Sequence, residues 1–235
     1  YVKEQNFIKR PIEEALGVPD NIYETAVQIF DKLVRATKKL SANDFGEHGT
    51  HMSFRGDFNI SDFPFTTVKF QLGVEKNKRA KEFELASMVI RSESKKEDGK
   101  LIPIKRKTID LLAIFVAPLD FEVEQLPDTL LEHKNEIIES ITHELKHAYD
   151  HFKKPSDNPT ERASYQAIVG KQFGIPAIDT FLHDIYFISA NENLVRPSEV
   201  SAAIKSNQIS QKEFLKFLQN HNTYLNLKRI SNFNL

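Results

Sequence analysis

The sequence has no cysteine and no tryptophan, and only two methionines, Met52 and Met88. Without cysteine there can be no disulfide framework and no thiolate metal site, so any metal ion must be held by His, Asp or Glu. No apolar run approaches the ~20 residues that a membrane-spanning helix needs. No signal-peptide pattern is visible, which makes intracellular the default expectation. Neither sign of charge prevails: 32 Lys and Arg stand against 33 Asp and Glu, a formal net charge of −1. That balance removes any global electrostatic case for nucleic acid or an acidic membrane as partner, although the basic stretch Lys95 to Lys107 could make local phosphate contacts. The remainder, 40% hydrophobic and 28% charged over 235 residues, suits an ordinary globular protein of one domain or two small ones.

Within Ile137 to Phe152, IIESITHELKHAYDHF, stands His143-Glu144-Leu145-Lys146-His147, an H-E-x-x-H. Residues four apart on an α-helix lie one above the other, so His143 and His147 can offer two imidazole nitrogens to one ion. Glu144 is then close enough to take a proton from a metal-bound water. Zn2+ is the ion this donor set suits; it takes a third protein ligand and keeps its fourth position for that water, whose pKa it lowers. The helix also has a direction: at about 100° per residue, Lys134, Ile137, Ile138, Ile141, Leu145, Ala148 and Phe152 gather on one stripe. His143 and His147 fall opposite it, with Glu144 at the boundary, so one side reads as core and the other as the lining of a cleft.

Around this segment the chain divides into a lead-in over residues 1–19, a main domain over 20–195, and a C-terminal helical extension over 196–235 packed on the same domain. From Asp20, a candidate N-cap, a scaffold helix follows with apolar residues from Ile22 to Leu40 at three- and four-residue steps. Residues 41–64 are rich in turn formers and read as loop or short irregular strand; His48 and His51 within them are a weaker candidate metal pair. Val68, Phe70, Leu72 and Val74 alternate with polar residues as a half-buried strand does, and FELASMVIRS after a basic turn completes an expected antiparallel hairpin. The near-continuous apolar run Ile109 to Ala117 reads as a central strand buried on both faces. Near the C-terminus, Ser210 and Glu213 form a capping-box pattern before an apolar helix. The fold class expected is α+β.

This order of elements, a mixed or antiparallel sheet followed by the H-E-x-x-H helix and a helical C-terminal part, resembles the zincin metallopeptidases, in which one edge strand pairs with the extended substrate. The segment HELKHAYD is similar to the H-E-L-x-H-A-x-D motif of mitochondrial inner-membrane processing peptidases. Asn158 to Tyr165, NPTERASY, resembles the N-P-x-E-R-x-A-Y run that supplies a third ligand in several bacterial H-E-x-x-H families. The metzincin pattern is not met: Asp150 and Lys153 stand where it needs glycine and histidine, and no methionine follows Met88. His151 lies about 12 Å along the helix from His143, too far to share the ion. The gluzincin arrangement, with a glutamate from a following helix, fits better.

What the resemblance implies is a zinc metallopeptidase, a hydrolase in which His143, His147 and Glu161 hold Zn2+ and Glu144 is general base. Its partner is a peptide or protein substrate. Glu161 can also be read as a residue of the first helical turn that favours the dipole, and Glu192 is the alternative third ligand. Tyr165 is a candidate oxyanion donor or a core aromatic, Asp150 a candidate acceptor for a ligating histidine or an exposed residue, and His183 a helix-surface or packed histidine. The competing reading is a non-enzymatic structural or interaction protein that keeps a zincin scaffold.

Overall fold

In the computed structural model, the described residues are 21–40, 46–48, 51–61, 63–92, 94–97, 100–103, 107–153, 180, 184, 187, 190–210 and 212–231. Five strands make one sheet: β1 (Gly46–His48), β2 (His51–Asn59), β3 (Thr67–Lys76), β4 (Glu84–Ser92) and β7 (Thr108–Ala117). Their spatial order is β1-β2-β3-β7-β4. Two short strands, β5 (Ser94–Glu97) and β6 (Lys100–Pro103), pair antiparallel as a separate ribbon.

The hairpin expected of β3 and β4 does not form. Instead β7 lies between them, parallel to β3 and antiparallel to β4. A strand as apolar as β7 gains most where both its backbone edges are hydrogen-bonded and sheltered. The connection from Asn77 to Phe83 is long enough to step over one strand, a distance of about 10 Å at the usual spacing. The expectation that β7 is buried on both faces is also corrected. Ile109, Leu111, Ala113, Phe115 and Ala117 are buried, whereas Asp110 and Leu112 are exposed, because among the described residues the helices cover the face that carries the former.

Residues 51–59 are a regular strand rather than loop, paired along their whole length with β3. Turn-forming residues obscured an alternation of Met52, Phe54, Gly56 and Phe58. Gly56 is needed there, since a Cβ at this position would stand 2.7 Å from the Phe70 ring opposite it.

The covering helices are α1 (Ile22–Thr37), α2 (Leu126–Glu132), α3 (Lys134–Lys153), α4 (Ala190–Ser206), α5 (Phe214–Asn220) and α6 (Asn222–Ser231). The helix from Asp20 is α1, with Asn21 at its N-cap position. The stripe of α3 is core as expected: Ile137, Ile138, Ile141, Leu145 and Ala148 are buried. The lysine at its start, Lys134, lies 5.9 Å from the Phe30 ring of α1. Each of the larger side chains contributes about 1.5–3 kcal/mol by leaving water, so their sum dictates which way α3 faces. Phe63 and Phe65, at the foot of β3, pack on Tyr149 and Phe152 and hold its last turns. No described helix is long and apolar enough to cross a membrane.

Candidate metal centre

With the apolar stripe of α3 turned into the core, His143 and His147 are carried to the other side, where α4 packs. Both are buried, at 7% and 6% exposure. Their Nε2 atoms converge to 3.1 Å. Two imidazole nitrogens on one tetrahedral zinc lie about 3.3 Å apart, since each bond is about 2.0–2.1 Å long. The pair therefore already has the separation of two ligands on a shared ion. Ligand atoms of His143, Glu144 and His147 all fall within 4.8 Å of one another. The donor set, two nitrogens with a carboxylate at hand, fits a divalent cation of the zinc kind.

Glu144 is half-buried and spans two elements. Its Oε1 is 3.8 Å from His143 Nε2, and its Oε2 accepts the N–H of Ile90 at 3.2 Å. Ile90 belongs to β4, the strand at the sheet edge nearest the histidines. It turns that N–H away from β7 and towards α3. The general-base candidate is thus tied to the one edge strand that borders the histidine pair.

A further carboxylate reaches the centre from α4. Glu199 Oε1 lies 2.8 Å from His143 Nδ1. Arg196 Nη1, one turn earlier, donates to both Glu199 oxygens at 3.0 and 3.2 Å, and the guanidinium lies 4.0 Å from the centroid of the Phe187 ring. Burial on its own would raise the Glu199 carboxyl. The hydrogen bond and charge of His143, and after them Arg196, outweigh burial and hold it below the usual carboxylate range. With a proton held at Nδ1 by that carboxylate, the ring in its uncharged form would turn its Nε2 lone pair towards His147.

One turn before His143 on α3, Glu139 is pushed up to about 7 by burial, reinforced by the charges of Glu199 and Glu136. His221 Nε2 stands 3.9 Å from it. Burial lowers the His221 pKa from its ordinary value, partly opposed by Glu199.

Of the residues singled out in the sequence, His143, Glu144 and His147 come together. Glu161, Tyr165 and His183 lie outside the described residues, as do the side chains of His48, His51, His151 and Glu192. Asp150 pairs with Lys146 Nζ at 2.5 Å rather than with a histidine. The acceptor that does serve His143 is Glu199, which sequence reading missed. Its signal was Arg196 and Glu199 at i,i+3 beside Pro197, a spacing that on most helices marks only a solvated pair. No protein-family model, no curated protein and no solved structure matches this chain.

Proposed function

We propose that the protein is a zinc-dependent metallopeptidase of the gluzincin type that hydrolyses peptide bonds in a peptide or protein substrate. The observation that carries this reading is the convergence of the two imidazole Nε2 atoms to 3.1 Å with the Glu144 carboxylate beside them. His143 and His147 would hold the ion, and Glu161 is our assignment for the third ligand, on its motif. Zinc, when bound, supplies a water of lowered pKa and polarises the scissile carbonyl.

The rest belongs to the chain's own residues. Glu144 takes a proton from the attacking water and delivers it to the departing amine. Glu199 accepts the Nδ1 proton of His143 and so orients the ring. We assign substrate pairing to the outer edge of β4: an extended peptide added there as a further strand passes its backbone beside Glu144. The Ile90 amide, which now donates to Glu144, marks where that backbone would run.

The test is elemental analysis of the purified protein alongside Glu161→Ala, Glu192→Ala and Glu199→Gln, followed by a peptide-cleavage screen with Glu144→Gln as control. Stoichiometric zinc in the wild type, absent from Glu161→Ala and merely weaker in Glu199→Gln, is the expected result. Complete loss in Glu192→Ala or Glu199→Gln, with Glu161→Ala unaffected, moves the third ligand to that residue. No zinc under metal-replete conditions overturns the reading in favour of a structural protein on the same scaffold.

A further inference from the structure

Helix α6 reaches the candidate metal centre through a buried hydroxyl. Thr223, in the first turn of α6, is 8% exposed, and its Oγ1 donates to Glu199 Oε2 at 3.1 Å. The other Glu199 oxygen is the one at 2.8 Å from His143 Nδ1. The carboxylate is therefore gripped from three directions, by His143 on α3, by Arg196 on its own helix and by Thr223 on α6. Thr223 is itself held: its N–H donates to His221 Nδ1 at 3.2 Å, and the opposite side of that ring faces Glu139 of α3. At the far end of α6, Arg229 donates to buried Asp184. So α6 is fastened at both ends, and its first turn is fastened to the group behind His143.

From this geometry we infer that Thr223 is a positioning residue for the metal centre, and that the C-terminal helices are a working part of it rather than an accessory cap. The inference rests on the proposal that His143 and His147 bind zinc. Arg196 reaches both oxygens through the single atom Nη1, a contact about which the carboxylate can still rock; the Thr223 hydroxyl, a separate donor on Oε2, fixes the plane in which Oε1 meets Nδ1. Fixing that plane fixes the His143 ring, and with it the direction of Nε2. Loss of an outer partner of a ligating histidine costs about 10–100-fold in metal affinity, and Thr223 acts one bond further out.

The experiment measures zinc affinity by competition with a chromophoric chelator, for the full chain and for Thr223→Val, Thr223→Ser, Thr223→Ala and Glu199→Gln. Thr223→Val keeps the shape and removes the hydroxyl, and is expected to bind zinc about five-fold more weakly with an unchanged circular dichroism spectrum. Thr223→Ser, which restores the donor, should return to within about two-fold of the wild type. If Thr223→Val does not fold, Ser against Ala still isolates the hydroxyl, and the same five-fold gap is expected between them. Equal affinities across the Thr223 variants, with Glu199→Gln weakened, overturn the role of Thr223 while leaving the metal site standing. Absence of zinc binding in the wild type overturns the metallopeptidase reading and this inference with it.

Discussion

Glu144 and Glu139 sit five residues apart on one helix and do different work because their surroundings differ. Glu144 touches the Ile90 amide and faces the histidines. In the proposed mechanism Glu144 is the base, and replacing it by Gln keeps the size and removes that function, so cleavage should fall by about 10²–10⁴-fold while bound zinc, measured by elemental analysis, is retained. Unchanged cleavage would remove it from the mechanism. Glu139 is given no role in the proposed chemistry and carries a pH dependence instead. From an ordinary value of 4.5 it is raised to about 7, by burial first and then by Glu199 and Glu136. His221 offers it little compensating charge, since burial disfavours the protonated imidazole. A carboxyl raised on folding binds its proton more tightly in the folded chain, so the stability it contributes is complete below its unfolded pKa and lost as pH rises towards the folded one. In metal-free protein, Glu139→Gln should therefore gain melting temperature relative to the wild type between about pH 5 and about pH 8. A difference that stays flat across that range would show that Glu139 titrates alike in the folded and unfolded chain.

At the level of elements, α3 and β4 set the site between them. The stripe from Ile137 to Ala148 was readable because a helix repeats every 3.6 residues and an apolar face has only one place to go. That β4 lies at an edge was not readable, since strand order depends on which edges find partners and every short apolar strand offers the same two. The false hairpin shows the limit. Local alternation identified Val68 to Val74 and the run to Ser92 as strands, but not the insertion of β7 between them. Strand β2 exposes the opposite error, in which Gly56 and its polar neighbours looked like loop. Its role is steric: the Phe70 ring packs tilted against Phe54 and Phe58 and closes over the glycine. Gly56→Ala should cost about 1–3 kcal/mol through overpacking, read as a lower midpoint in chemical denaturation with an unchanged slope. A neutral outcome would mean that the Phe70 ring gives way freely.

Over the whole molecule, the proposed ion would tie α3 to its third ligand, proposed to be Glu161, so binding should stabilise the fold. With free zinc at a hundred times its dissociation constant, linkage adds about 2.7 kcal/mol. For a chain of this size that is a rise in melting temperature of about 5–10 °C, reversed by a chelator and diminished in Glu199→Gln at the same zinc concentration. No shift with zinc would argue that the histidine pair does not hold it. What the sequence determined by itself was the histidine pair with a carboxylate beside it: spacing, periodicity and residue type place His143 and His147 on the side of one helix away from its apolar stripe, with Glu144 at the boundary, and those are local properties. The absence of cysteine likewise confined the donors to His, Asp and Glu. Tertiary structure alone decided that Glu199 stands behind His143, that Thr223 stands behind Glu199, and that the edge strand beside Glu144 is β4. These residues are 24 to 56 positions apart from the partners they meet, and nothing in a local pattern reports such distances. They are brought together only because burying the apolar faces of α3 and α4 leaves their charged groups one shared place to pair.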